Sequence, residues 1–520
     1  MGRFLGLDSS TQSLSAIVVD TDSGEVVLDL TVNYGQELPQ YRSPQGFLPH
    51  ADPLVKHSDP LMWVEALDLL LSRARESGFD WSTIDGISGA GQQHGSVYLN
   101  DQWAGADWVT GTPLHEQVRP LLSRATAPIW MDSSTAEECA EIGAAVGLER
   151  VTEITGSRPI ERFTGPQIRK FAKDEPAAYA ATARIHLVSS FMCSLLVGGD
   201  APLDLGDGAG MNLLDLAPHS WSRVMADATA DGLLARLPVI TKSSTVAGSV
   251  HRYFVEAYGF APGCRVAVWT GDNPSSLVGM GATAPGTAVI SLGTSDTYFG
   301  AMNRPTADPR GYGHVFGNPA GGYMSLIAFK NGSLAREEVQ REYGISWDDF
   351  AADILERSQP GNAGNVTLPY YVSEITPLIL EPAVKHYGSP AFVDGSDRAA
   401  RVRGIVEAQA LSMKRHSDWI SDQPTSILVT GGASRNPGVL QIVADVFQAD
   451  LKRLSVANAS GLGGALRAAN TIGGHPLADL TATFAAPVPG STVHPNPAAA
   501  PAYAALATSF ASHLHDDFGV

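Results

Sequence analysis

Cysteine is scarce in this 520-residue chain. Cys139, Cys193 and Cys264 lie far apart and in no paired metal-ligand spacing, which argues against a disulfide framework or a zinc site and for a reducing cytoplasm. Basic residues are also few, 35 Lys and Arg against 54 Asp and Glu, and the formal charge of −19 opposes nucleic-acid backbones and anionic membrane surfaces. No apolar run reaches the roughly 18 residues needed to cross a bilayer. The N-terminus has no basic region followed by an apolar stretch and a cleavage site, and residues 4–20 read as folded structure at once. Two nucleotide motifs are missing as well: there is no G-x-x-x-x-G-K-[ST] and no G-x-G-x-x-G, so neither a P-loop nor a Rossmann site is supported. A nucleotide must be bound another way, if at all.

What is present is ordinary globular material, 44% apolar and 17% charged, in a chain too long for one core. Residues 3–20, RFLGLDSSTQSLSAIVVD, read as two apolar strands joined by a turn of small hydroxyl residues. GTAVISLGTSDTYFGAM, at 286–302, repeats that layout, and two related hairpins suggest two related domains. Asp59 and Pro60 supply a cap and a first-turn proline for the helix that follows, and Asn436 and Pro437 do the same later. Strands alternate with helices in both halves, which predicts an α/β class. Gly259 to Gly263 punctuate the chain, placing domains at 1–258 and 259–484, with an Ala/Pro-rich peripheral tail at 485–520.

Turns of small residues can aim several backbone N–H groups at one point, a concavity suited to phosphate oxygens. The tips DSST and GTSD are such turns, though the same residues also serve as plain turn formers. TGGASRN, at 430–436, lets a flat base approach the backbone at its glycines, or is an ordinary strand-to-helix turn. WTGDNP, at 269–274, puts Asp272 at a strand end, where a carboxylate can act as general base or simply close an Asx-turn. SGAGQQHG, at 88–95, sets Gln92, Gln93 and His94 at another strand end, with donors and acceptors for a hydroxyl-rich ligand or for structural neighbours.

In order, DSSTQS, SGAGQQHG, WTGDNPSSLVGMGA, VISLGTSDTYFG and LVTGGASRNP resemble the FGGY family of carbohydrate kinases, and within it the eukaryotic-type xylulose kinase branch. The likeness runs from Phe4 to about Asn470 and includes WMDSST, TGSRPIERFTGPQI, GDGAGMNLLDL, FKNGSLARE and the Trp347 segment. Two stretches depart from it: TGPQIRKFAKDEP stands where many members carry a lysine followed by a tryptophan-containing helix, and GGAS where others show three glycines.

The resemblance implies an α/β fold of two actin-like, ribonuclease-H-like domains with an interdomain cleft, and a kinase using ATP and Mg²⁺. It implies that His94, Arg162, Asp272 and Asn273 contact a ketose, with Asp272 as the base. It also implies that Asp8, Ser10, Thr11 and Gln12 lie by phosphate, with Asp8 as the magnesium ligand. Gly293, Thr294 and Ser295 would form the second phosphate turn, and Trp347, Gly432, Ala433 and Asn436 would hold the adenosine. The expected partners are a small sugar, D-xylulose foremost, and ATP, with no nucleic acid and no membrane, in a monomer or homodimer. Another pentulose such as ribulose, a polyol, or an ATPase switch of actin or chaperone type remain the alternatives.

Overall fold

β-Branched and apolar residues alternate with small ones from the third residue on, and in the computed structural model, which describes residues 2–520, they form a meander. Its strands are β1 (Arg3–Ser9), β2 (Ser13–Asp20) and β3 (Glu25–Asn33). Next come α1 (Pro60–Glu76), β4 (Ile84–Gly91) and α2 (Val188–Val197). β5 (Val246–Ser249), β6 (Arg265–Ala267), β7 (Thr270–Gly271) and α3 (Asp272–Gly279) complete this stretch. A second hairpin, β8 (Thr287–Leu292) and β9 (Asp296–Met302), is followed by β10 (His314–Gly317) and β11 (Tyr323–Phe329). The remaining main elements are α4 (Ser333–Tyr343), α5 (Trp347–Leu355), α6 (Arg398–His416), β12 (Ser426–Thr430), α7 (Pro437–Phe447), β13 (Asp450–Arg453), α8 (Ala459–Thr471) and α9 (Ala500–Phe518).

These elements make two units. The first runs to Thr283 and includes Val315–Tyr323 and Ala457–Ala486; the second comprises Ala284–His314, Met324–Val456 and Pro487–Val520. The boundary expected at 258 therefore falls inside the first unit. The reason is pairing: β6 lies parallel to β4, in the sheet ordered β5-β6-β4-β1-β2-β3, with β7 also on β4. Asp272 thereby moves from the expected second domain to the first unit.

The first unit is also closed by a helix from far along the chain. α8 presents Gly461, Gly463 and Gly464 to β1, β4 and α3 at backbone contact. A Cβ on Gly6 would stand 2.0 Å from the Gly461 oxygen, one on Gly279 1.9 Å from the Ala459 oxygen, and one on Gly463 1.9 Å from the Ser275 oxygen. No side chain fits those approaches, which fixes glycine at each. Asp59 caps α1, its carboxylate accepting from Leu61 N at 2.9 Å with Pro60 at the first helical position, and Leu61, Trp63 and Leu67 on that helix enter the core.

In the second unit the strands run in the order β11-β9-β8-β12-β13, with β8 antiparallel to β9 and parallel to β12. This repeats the first unit, where β1 is antiparallel to β2 and parallel to β4. The tail expected to be peripheral is an element of the core. Tyr503, Leu506, Phe510 and Leu514 of α9 are buried, Lys385 pairs with Asp517 at 2.5 Å, and Tyr387 stacks on His513 at 3.9 Å. Apolar residues spaced three to four apart gave the alanine-rich helix one face to bury.

Candidate active site

In the first unit, β7 ends where α3 begins, so Asp272 occupies the first helical position rather than a strand. Its Oδ1 accepts from Gln93 N at 3.2 Å, from Asn273 N at 2.9 Å and from Asn273 Nδ2 at 3.2 Å. Oδ2 has no protein partner among the described residues, so one carboxylate oxygen is fixed and the other is free. Burial raises the Asp272 carboxyl to about 6, against the lowering effect of the amides. Gln93 Oε1 in turn accepts from Asn273 Nδ2 at 2.8 Å, which ties the QQH turn to the WTGDN turn.

His94 is buried with φ +70, a left-handed backbone that a side chain rarely adopts. Its Nδ1 is 2.7 Å from the Gly210 carbonyl, so Nδ1 carries the proton and Nε2 is left as an acceptor. Burial first, and then the Arg162 charge, push the imidazole down to about 3, which keeps it neutral. Its ring packs 4.8 Å from Phe163, and the Arg162 guanidinium lies 5.8 Å from the same phenyl ring.

Asp8, near the end of β1, is 8% exposed, and its Oδ1 is buried without a hydrogen-bond donor. Burial and then the Asp272 charge raise its carboxyl to about 7, with the Ser460 hydroxyl working the other way. It opens on a cavity of about 520 Å³ lined by Ser13, Ser15, Thr31, Asn458 and Ser460. A carboxylate beside an open polar cavity, with one oxygen that no protein donor satisfies, fits a hydrated divalent cation. Among the described residues no group of three or more His, Cys, Asp or Glu could hold a metal, so any ion there would keep mostly water and ligand oxygens. At the hairpin tip, Ser10 N and Oγ donate to Ser13 O at 3.0 and 2.9 Å, Trp130 Nε1 donates to Thr11 Oγ1 at 2.8 Å, and Gln12 is exposed.

In the second unit, Leu292 pairs with Asp296, leaving Gly293, Thr294 and Ser295 as the tip, with the last two exposed. Trp347 opens α5 and is 45% exposed. Asn436 caps α7 through Oδ1, accepting from Val439 N at 3.1 Å, while its Nδ2 donates to Trp347 O at 3.3 Å. Gly432 faces open space, and Ala433 beside it is half-buried. Asn436 thus ties the start of α5, with its exposed indole, to the open Gly432–Ala433 turn.

The N-terminal domain pattern of the FGGY family of carbohydrate kinases matches residues 3–279, and its C-terminal domain pattern matches residues 288–472. The chain belongs to the FGGY family of carbohydrate kinases. It is 40% identical to a xylulose kinase of Rattus norvegicus over 526 residues, covering 98% of this chain and 95% of that one. It is also 40% identical to xylulose kinase 2 of Arabidopsis thaliana over 496 residues, 90% and 87% of the two chains. The crystal structure of xylulose kinase from Rhodospirillum rubrum shares its fold with a TM-score of 0.82 at 22% identity, over 100% of both chains. Plasmodium falciparum glycerol kinase with ADP does so at 0.80 and 17%, over 100% of this chain and 99% of that one. The fold is the actin-like α/β pair.

In this FGGY kinase the first unit holds Asp8, Ser10, Thr11, Gln12, His94, Arg162, Asp272 and Asn273, and the second holds the remaining expected residues in two groups, the Gly293–Ser295 tip and the Trp347 surface. Sequence reading missed Asp204 and Asp207. Asp204 accepts from Thr270 Oγ1 and Asp207 N, both at 2.9 Å. Asp207 is fully buried and accepts from Ser189 Oγ. Its Oδ1 has no partner and stands 2.9 Å from where a Cβ on Gly271 would lie. Burial, then Asp204 and Asp272, drive its carboxyl well above the usual range. Two aspartates one helical turn apart in LDLGDGAG were the available signal. No helix among the described residues is long and apolar enough to cross a membrane.

Proposed function

We propose that this carbohydrate kinase transfers the γ-phosphoryl group of ATP to the terminal hydroxyl of D-xylulose, giving ADP and D-xylulose 5-phosphate. The observation that carries the reading is Asp272. Its Oδ1 is held by Gln93 and Asn273, its Oδ2 is free, and its carboxyl is raised to about 6, the profile of a general base near neutral pH. The ketose is the substrate of relatives that carry the name xylulose kinase at 40% identity over nearly the whole chain.

In this reading Asp272 Oδ2 takes the hydroxyl proton as the new oxygen–phosphorus bond forms and the bond to the β–γ bridging oxygen breaks, its electrons leaving on ADP. His94 Nε2 and the Asn273 carbonyl oxygen accept from ketose hydroxyls, and Arg162 donates to its oxygens. Ser10, Thr11 and Gln12 at the first tip, and Gly293, Thr294 and Ser295 at the second, take phosphate oxygens. Trp347, Gly432, Ala433 and Asn436 receive the adenosine. Asp8 is the residue that would hold Mg²⁺, and the ion, when bound, would offset charge on the phosphate oxygens. Three unpaired cysteines, two of them buried, fit a cytoplasmic setting.

The test is ADP release over a panel of D-xylulose, D-ribulose, pentitols and glycerol. D-xylulose is expected to give the highest kcat/KM. A higher value for another acceptor overturns the ketose assignment, and ADP release indifferent to every acceptor returns the chain to an ATPase switch.

A further inference from the structure

The tip of the second hairpin is short and exposed, yet the groups behind it are among the most enclosed in the second unit. Asp296, the residue after Ser295, and Arg336, on α4, are each only 1% exposed. They meet as a fork: Arg336 Nη1 donates to Asp296 Oδ2 at 2.8 Å and Nη2 donates to Oδ1 at 2.9 Å. Arg336 also donates to Gln409 Oε1 at 2.7 Å and to Ser333 Oγ at 3.0 Å. Gln409, from the middle of α6, donates onward to the carbonyls of Asn331 at 2.7 Å and Gly332 at 2.9 Å.

Those last residues are the ones that touch the tip. Ser333 N donates to Gly293 O at 2.8 Å. Gly332 approaches so closely that a Cβ there would lie 2.7 Å from Asp296 N and 2.8 Å from Thr294 O. Asn331 is itself held, its N and Nδ2 both donating to Glu374 Oε2 at 2.9 Å. The Gly293 and Thr294 carbonyls of the tip thus meet a segment held by Arg336, Gln409 and Glu374.

A buried ion pair is a weak source of stability, since desolvation offsets most of its attraction, and well-packed apolar residues often serve as well or better. Its distinctive property is directional: a planar guanidinium holding a carboxylate by two parallel bonds fixes both in one geometry. We propose that Arg336, acting through Asp296, Ser333 and Gln409, is a positioning residue that sets the shape of the Gly293–Ser295 turn for the nucleotide phosphates. The inference rests on the assignment of that turn to phosphate in the preceding section. Arg336 does not touch the phosphate; its charge is spent on Asp296.

The decisive variant replaces both partners, Asp296→Leu with Arg336→Met, so that no uncompensated charge stays buried and folding is preserved. Steady-state kinetics of the full chain should show KM for ATP raised at least tenfold, with KM for the sugar within twofold of the parent. Unchanged KM for ATP in this variant, at a melting temperature equal to or below the parent's, means a purely structural pair and overturns the proposal. Arg336→Lys keeps the charge without the fork and should not restore nucleotide affinity; full restoration overturns positioning by the fork. Ser295→Glu, at the exposed tip, tests the underlying assignment separately. If it leaves KM for ATP unchanged, the turn does not meet phosphate; if it responds while the double variant does not, the turn stands and the role of Arg336 falls.

Discussion

The two hairpins share one layout and treat their carboxylates in opposite ways. In the first unit Asp8 sits two residues before its tip turns, with one oxygen that nothing in the protein satisfies, and the charge that acts on it, that of Asp272, has the same sign. In the second unit Asp296 follows its tip and is clasped by Arg336. Burial raises both carboxyls, but at Asp296 the guanidinium works against it, whereas at Asp8 the neighbouring charge pushes further upward. The first site is left electrostatically unfinished, which suits the cation and the proton transfer proposed for it. The second is finished within the protein and behaves as scaffold.

The sharpest separation of the two comes from Asp272→Asn. The amide keeps the shape and loses the base, so kcat should fall by about 10² to 10⁴ while the ketose still binds. Retention of more than about a tenth of kcat removes Asp272 from the role. The parent's kcat/KM should rise with pH through about 6, because only the ionised carboxylate can accept the proton, and then level off. A flat profile between pH 5 and 8 would contradict the assignment.

Stability should separate the two aspartates in the reverse sense. Arg336→Met leaves Asp296 buried and uncompensated, a loss of about 3–5 kcal/mol for breaking such a pair. Asp8→Asn removes a buried carboxylate with one oxygen that has no donor, so the ligand-free protein should melt no lower than the parent at pH 8, while turnover falls. Thermal melts of both variants check this, and a large loss of stability in Asp8→Asn would erase the contrast.

His94→Ala should weaken ketose binding by about tenfold, in keeping with the loss of one buried hydrogen-bonding group, and leave nucleotide binding near the parent value. Titration with each ligand decides it; equal weakening of both would make His94 structural.

The smallest effect expected is at Asp207. Its folded carboxyl is raised well above the unfolded value, so ionisation costs stability from the ordinary carboxylate range upward, most fully above the raised value. Asp207→Asn keeps an acceptor for Ser189 and removes that cost. Its melting temperature should exceed the parent's at pH 8 and converge with it as pH falls toward 4.

Much of this was legible in the chain because it depends on neighbours in sequence. The β1–β2 and β8–β9 hairpins, the caps Asp59 and Asn436 with their following prolines, and the α/β alternation follow from turn chemistry and periodicity, which act over a few residues. Resemblance supplied Asp272, His94 and the other candidate residues as a set. Their environments were decided elsewhere. Gln93 clasps Asp272 and Asn273 only because β4 and β7 run side by side, and Arg336 reaches Asp296 from another helix. Asp207 comes under Gly271 by the same kind of long-range approach, and α8 enters the first unit from the far end of the chain because three of its glycines let backbone meet backbone. The chain alone determined which residues could cap, turn and alternate. The unpaired state of Asp8, the held oxygen of Asp272 and the place of residue 272 in the first unit were settled by tertiary structure, because burial and charge proximity are properties of the packed assembly, not of any local stretch.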